Sequence, residues 1–168
     1  MQSLVTDLQR YTALLGHPKL YLDQVNLGTL VGEIVGSLGP MIQAVHARVE
    51  VGPLPTLTGD RNRLQTLMQH LIQNALTFHS EQPHIQVQAT PQGRTWHITV
   101  SDNGPGIPEE YHERIFGLFQ RLGHRPAQGG NGAGLALARR IAELHGGTLS
   151  VQPGPTQGAT FLLILPMD

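Results

Sequence analysis

Asp102-Asn103-Gly104-Pro105-Gly106-Ile107 is the stretch on which the fold of this chain turns. The run before it, Thr95-Trp96-His97-Ile98-Thr99-Val100-Ser101, alternates in the manner of a half-buried strand. A strand that ends in a carboxylate and runs into two glycines one residue apart suggests more than a hairpin. Glycine has no Cβ, so the backbone there tolerates positive φ and lets a ligand come close. The Asp102 carboxylate is then held in a set direction at the strand end. A carboxylate only accepts hydrogen bonds, so its natural partner is a donor such as an exocyclic amine. Alone, the stretch fits an ordinary turn equally well, because Asx-Gly and Gly-Pro pairs are common turn signals.

A second glycine cluster changes that balance. Gly129-Gly130-Asn131-Gly132-Ala133-Gly134 opens the helical run from Leu135 to Leu144. Glycines at a helix N-terminus expose backbone N–H groups to an anion, and the helix dipole favours negative charge there. One cluster suited to a base and one suited to phosphates point to a nucleotide site. The cluster is neither a P-loop nor a dinucleotide-binding fingerprint: no Lys-Ser/Thr follows it and no strand stands just before it.

Composition sets the outer limits. The 168 residues suffice for one domain with a real core. A hydrophobic fraction of 39% and a charged fraction of 14% suit a globular chain. The net charge of −1 makes no electrostatic case for nucleic acid or an anionic membrane as partner. There is no cysteine, hence no disulfide frame and no thiolate metal site. No apolar run approaches the ~18 residues of a membrane span, and no signal peptide is visible.

Taken in order, the chain starts with a helix over residues 1–15. Its apolar stripe is Leu4, Val5, Leu8, Tyr11 (or Thr12) and Leu15, narrow enough for a bundle or coiled coil. Gly16-His17-Pro18 ends it. A short strand is expected over residues 20–27. A helical period runs over residues 28–47, kinked or split at Gly39-Pro40. Residues 48–51 read as a strand followed by a Pro-rich turn. Asp60 then caps a strong helix running to about His79. Strands are expected over residues 84–89 and 94–101, with Pro91-Gln92-Gly93 turning between them. A short helix starts at Pro108-Glu109-Glu110, and residues 123–130 read as a mobile loop. The next helix ends at His145-Gly146-Gly147, and a last hairpin joins residues 148–152 to 159–165. Strands gathered with helices on one face predict an α/β (α+β) two-layer sandwich with a mixed sheet.

The helix after Asp60 repays a helical wheel. Leu64, Leu67, Met68, Leu71, Ile72, Ala75 and Leu76 fill roughly half the circumference. Arg63, His70, Asn74 and Thr77 form a polar stripe beside the Leu67 edge. Asn74 therefore sits at the margin of the core, with an amide oxygen suited to a hard cation and an N–H₂ suited to an acceptor. On the wheel alone, a plain surface Asn is the simpler reading.

In this order the motifs resemble the ATP-binding catalytic domain of sensor histidine kinases. Its Bergerat fold is shared with the gyrase and MutL ATPases. The resemblance runs from about Asp23 to the end of the chain. Leu71-Ile72-Gln73-Asn74-Ala75-Leu76-Thr77-Phe78 resembles the N box. Asp102-Asn103-Gly104-Pro105-Gly106-Ile107 resembles the G1 box, and Ile115-Phe116-Gly117-Leu118-Phe119 the F box. Gly130-Asn131-Gly132-Ala133-Gly134-Leu135 resembles the G2 box, and Gly158-Ala159-Thr160-Phe161 the closing glycine-threonine element. Phe119-Gln120-Arg121-Leu122 and the segment from Arg48 to Pro55 look most like phytochrome-type kinases.

The resemblance implies roles. Asn74 matches the Mg²⁺ ligand, and Asp102 the carboxylate that takes the adenine amino group. Gly104, Gly106, Gly130, Gly132 and Gly134 match the glycines that shape the pocket and the lid hinge. Arg121 matches a lid-side arginine that reaches the γ-phosphate, and Thr160 a residue on the floor of the adenine pocket. Ile107, Phe119 and Leu135 fall in the same motifs and are expected at the nucleotide. ATP and Mg²⁺ are the implied cofactors. In this family a histidine on a separate helical hairpin takes the phosphoryl group, a response regulator receives it, and the hairpin helices form a homodimer. Residues 1–19 are then expected to be the end of the second hairpin helix and its linker, and residues 20–168 the ATP-binding domain. The acceptor helix would lie upstream, so this chain is not expected to autophosphorylate alone. A cytoplasmic location is implied.

Three departures from the family pattern stand out. The position four before Asn74, commonly Asn, is His70, retained as a candidate catalytic residue. The position three after it, commonly a phosphate-contacting Lys, is Thr77. None of the nine histidines has the acidic-then-polar-then-Pro context of a phosphoacceptor. Two other readings therefore stand beside the first. One is an ATP-hydrolysing relative of the gyrase or MutL type, whose Glu base occupies the position of His70. The other is a nucleotide-binding module with weak or no kinase activity.

Overall fold

The structure is a computed structural model that describes residues 4–16, 18–78, 81–118, 133–154 and 157–167. Its elements are helix α1 (Leu4–Ala13), strand β1 (Leu22–Asn26), helices α2 (Leu27–Ser37) and α3 (Gly39–Ala44), and strands β2 (Arg48–Val51) and β3 (Thr56–Asp60). Helix α4 (Arg61–Thr77) and strands β4 (His84–Gln92) and β5 (Thr95–Asp102) follow. After two 3₁₀ turns, Glu109–Tyr111 and Arg114–Phe116, come helix α5 (Gly134–Leu144) and strands β6 (Thr148–Pro153) and β7 (Ala159–Pro166).

Five strands form one mixed sheet in the order β2-β4-β5-β7-β6. Strand β2 is parallel to β4, and every other neighbouring pair is antiparallel. The register explains the layering. Val87, Val100, Phe161 and Val151 lie side by side across four strands, and Ala89, Ile98, Leu163 and Leu149 form the next apolar row. The alternate residues build a polar row on the other face, Gln86, Ser101, Thr160 and Gln152. Only the apolar face is fit to take helices, so the expected two-layer sandwich results.

Helix α4 is the centre of the helical layer. The Asp60 side chain accepts the Arg63 N–H at 3.2 Å, the N-cap bond that starts it. All seven residues of its expected stripe are buried. Each such Leu, Ile or Met contributes about 1.5–3 kcal/mol on leaving water. The expected split at Gly39-Pro40 is also present: α2 stops at Ser37, and α3 begins with Pro40 in its first turn.

Three local differences have physical causes. Strand β3 was not expected, because Thr56-Leu57-Thr58-Gly59 is short and follows Pro53 and Pro55. It forms by pairing antiparallel with the distant β1. Strand β4 continues through Pro91 and Gln92, which read as turn residues, and the reversal falls at Gly93-Arg94. Pro91 is tolerated because β2 pairs only as far as Val87, so its missing N–H leaves no ladder bond unmade. The stripe on α1 is turned from the expected one: Val5 and Leu15 are 61% and 53% exposed, while Asp7 and Leu14 are buried. Helix α1 packs along α5, and contacts from that helix set its rotation. The loop expected over residues 123–130 lies outside the described residues.

Candidate nucleotide-binding site

Asp102 is the last residue of β5, the middle strand of the sheet. Alternation from Ile98 and Val100 turns its side chain toward the helical layer. Its Oδ1 accepts two backbone N–H groups, from Gly104 at 2.9 Å and from Ala159 at 3.2 Å. Burial pushes the Asp102 carboxyl above the usual carboxylate range, while those two N–H groups pull it down. Both bonds fall on one oxygen. Among the described residues no hydrogen bond reaches Oδ2, which is left to accept from a ligand.

The glycines around this carboxylate are there for space. A Cβ on Gly104 would stand 2.5 Å from the carbonyl oxygen of Phe78, the C-cap of α4. Gly158 has φ +84°, and a Cβ there would overlap the Asp102 carbonyl and lie 2.7 Å from its Oδ1. Gly106 has φ +79° and faces the Gly158 carbonyl. Close packing of backbone on three sides thus holds Asp102 in place. Asn103 ties the loop to β4: its Oδ1 accepts the His84 N–H and its Nδ2 donates to the Gln82 carbonyl, both at 2.8 Å. His112 Nε2 lies 2.8 Å from the Ile107 carbonyl, and as a carbonyl only accepts, Nε2 donates.

The polar edge of α4 lies where the wheel placed it, with His70, Asn74 and Thr77 all half-buried. Thr77 Oγ1 donates back to the Gln73 carbonyl at 2.9 Å. His70 is more enclosed, with its side chain 12% exposed. Its Nε2 lies 3.5 Å from Oδ1 of Asp7, a fully buried carboxylate on α1. Its Nδ1 faces α5: a Cβ on Gly134 would stand 2.9 Å away. His70 therefore connects α1 to the first turn of α5. Leu135, next along α5, is half-buried against the core.

Thr160 is placed differently from the expectation. Its Oγ1 pairs with Ser101 Oγ at 2.9 Å, on the sheet face away from Phe161 and the helices. Strand alternation carries the side chain away from Asp102, and the N–H of the preceding Ala159 reaches the carboxylate instead. Ala159, Gly158 and Asp7 were missed as site residues. Gly158 sits in a quoted motif and had a signal in its position before an alternating strand; Asp7 had none. Phe119, Arg121, Gly130 and Gly132 lie outside the described residues.

A mixed sheet covered on one face, with a glycine-walled carboxylate at the end of its middle strand, defines the class of domain. The chain belongs to the family of histidine kinase-, DNA gyrase B-, and HSP90-like ATPases, which matches residues 59–168. The phytochrome-like protein Cph1 of Synechocystis is 33% identical over 168 residues, covering 99% of this chain and 22% of that protein. The alginate biosynthesis sensor protein KinB of Pseudomonas aeruginosa is 37% identical, covering 98% of this chain and 28% of that protein. The chain thus spans less than a third of either relative. Among solved structures, full-length ShkA in complex with AMPPNP superposes with a TM-score of 0.85 at 26% identity, covering 98% of this chain and 35% of that one.

Proposed function

We propose that this chain is the ATP-binding part of a two-component sensor histidine kinase, most like the phytochrome type. It passes the γ-phosphate of Mg-ATP to a histidine on a separate helical hairpin, for onward transfer to a response regulator. Residues 1–19 are the end of a hairpin helix and its linker, and residues 20–168 the ATP-binding domain. The hairpin helices form the homodimer of the whole protein. We place it in the cytoplasm; no helix among the described residues is long and apolar enough to cross a membrane.

The observation that carries this reading is the Asp102 carboxylate, with Oδ1 taken by backbone N–H groups and Oδ2 left to accept. The adenine amino group is a donor and fits Oδ2, whereas guanine presents a carbonyl at the equivalent edge. Gly104 and Gly158 let the backbone close in on this carboxylate, which keeps its direction fixed. Asn74 offers one amide oxygen, which suits Mg²⁺, an ion that takes few protein ligands and completes its shell with phosphates and water. ShkA was solved with an ATP analogue, and Cph1 is named as phytochrome-like, both in keeping with the proposal.

ATP, when bound, supplies the transferable phosphoryl group. The chain's own residues position and stabilise charge. Asp102 orients the base, Asn74 holds the metal from the polar edge of α4, and the N-terminus of α5 faces the phosphates. Arg121 is assigned the γ-phosphate, where a guanidinium stabilises charge in transfer. His70 and Thr77 leave this site with less phosphate binding than its relatives.

The test is to mix the chain with γ-labelled ATP and a separately made hairpin carrying the acceptor histidine. Label on the hairpin, stable to base and labile to acid, is expected. Release of inorganic phosphate without transfer would make the chain a hydrolysing relative. Binding with neither outcome would make it a nucleotide-binding module.

A further inference from the structure

Helix α1 ends at Ala13, and the next residue, Leu14, is buried. A backbone carbonyl carried inward just past a helix end needs a donor from elsewhere. Arg140 of α5 supplies one: its Nε donates to the Leu14 carbonyl at 2.8 Å, and its Nη2 donates to the Gly16 carbonyl at 2.7 Å. Both bonds are charge-assisted, and the planar fork of a guanidinium meets two carbonyls in one fixed geometry. Glu143, one turn further along α5, lies 3.8 Å from Nη1 and steadies the fork. Gly16 has φ +86°, the left-handed turn that takes the chain off the helix. Beyond that turn the Tyr21 N–H donates to Asp60 Oδ2 at 3.1 Å. The chain is thus fastened to the domain on both sides of the turn between α1 and β1.

The direction of α1 matters as much as its attachment. Leu14 meets Arg140 in the second half of α5. Asp7, upstream on α1, lies 3.5 Å from His70, whose ring stands beside Gly134, the first residue of α5. Helix α1 therefore runs in the same sense as α5, and its upstream end comes to the end of α5 that the second glycine cluster opens. We infer that Arg140 is a positioning residue for phosphoryl transfer. It sets the bearing of α1 on the domain, and so the direction from which the chain upstream of α1 approaches the nucleotide. This rests on the functional reading above, in which α1 ends a hairpin helix and the start of α5 faces the phosphates. Arg140 stands about 9 Å along α5 from Gly134, so it acts through α1 and not on the nucleotide. Without the clasp the domain swings on its turn, and productive meetings of phosphate and acceptor become rarer.

The chain has no cysteine, so Gln9→Cys on α1 and Gln88→Cys on β4, both exposed, take one spin label each. Electron–electron distance measurement on this pair is expected to give one narrow distribution. Arg140→Gln is expected to broaden it about twofold or more, and Arg140→Lys, which keeps the charge without the fork, to give an intermediate width. In the whole protein with its hairpin, Arg140→Gln is expected to slow transfer at saturating ATP about tenfold with the KM for ATP unchanged, and Arg140→Lys to recover part of the loss. A broad distribution in the wild type, or a narrow one in Arg140→Gln, overturns the clasp. Unchanged or faster transfer by Arg140→Gln overturns the positioning role. A raised KM for ATP at unchanged rate overturns it too, since the effect then lies in nucleotide binding. Failure of the wild type to bind Mg-ATP in calorimetry overturns the nucleotide reading, whereas the distance distributions judge the clasp by themselves. Circular dichroism melts check that each variant is folded, and Arg140→Lys carries the test where Arg140→Gln is not.

Discussion

His145 Nε2 accepts the backbone N–H of Asp60 at 3.0 Å, joining the end of α5 to the start of α4 across 85 positions of sequence. A backbone N–H only donates, so Nε2 is bare and the ring proton sits on Nδ1, 2.8 Å from the Ile141 carbonyl it serves. Gly59 makes room for the ring, since a Cβ there would come within 3.3 Å of it. Asp60 is itself a junction: its Oδ1 caps α4, and its Oδ2 accepts the Tyr21 N–H at 3.1 Å. The linker after α1, the helix bearing Asn74 and the helix that follows the second glycine cluster are thus tied at one point.

Replacing His145 by Ala should cost about 1–3 kcal/mol of folding stability, because it leaves the Asp60 N–H without its acceptor. His145→Gln should recover part of the loss, as an amide offers both an acceptor and a donor. Urea denaturation of the two variants is the check. Equal losses would show that ring packing, not the hydrogen bond, holds the junction.

What was legible in the sequence divides by the range of the forces involved. The stripe of α4 was readable because a 17-residue amphipathic helix repeats its period many times, and each apolar residue faces one core. The glycine–carboxylate stretch was readable as a kind of chemistry. Which backbone groups satisfy Asp102 was not, since Ala159 arrives from another strand. Strand β3 exists only through its pairing with β1. The burial of Asp7 had no local signal, since charged residues are rarely buried and the His70 ring that faces it is distant in sequence. Thr160 is one residue out of phase with the site, a fact set by sheet register rather than by residue type.

Asp102→Asn is expected to lower ATP affinity by about 1–3 kcal/mol and to remove the preference for ATP over GTP, since a donor pair would face the adenine amine. Its effect on stability should have the opposite sign. Burial raises the Asp102 carboxyl above its unfolded value, so its favourable contribution is complete below the unfolded pKa and is lost as pH rises through the folded one. At neutral pH the charged carboxylate is a liability, and the Asn variant should melt higher there, with the advantage fading in acid. Melts across pH and titrations with ATP and GTP analogues measure both. Equal ATP affinity in the two proteins would remove Asp102 from the site.

Gly158 and Gly93 offer a matched pair. Both have positive φ, +84° and +60°, yet a Cβ on Gly93 meets nothing within 4 Å while one on Gly158 strikes Asp102. Gly93→Ala should cost only the left-handed strain, about 1–2 kcal/mol, with nucleotide binding intact. Gly158→Ala should cost more and abolish adenosine binding, because the Ala159 N–H and the carboxylate must move apart. Similar behaviour of the two variants in melts and adenosine titrations would refute the close approach at Asp102.

Thr77→Lys should strengthen Mg-ATP binding. Thr77 lies on the same half-buried edge of α4 as Asn74, and its hydroxyl is turned back on the Gln73 carbonyl at 2.9 Å, so it adds no charge to the site. A Lys there has the length to follow the edge toward the phosphates. One such contact at ~4 Å, with an effective dielectric of about 20, is worth up to roughly 4 kcal/mol before screening and desolvation. About 1 kcal/mol should survive at an edge partly open to water, after the Lys loses rotamer freedom. Adenosine, which has no phosphate, should bind wild type and variant alike. Calorimetry with ATP, ADP and adenosine separates the cases. Unchanged ATP affinity, or an equal gain for adenosine, would mean that Thr77 does not face the phosphates and that the N box is set in the wrong register.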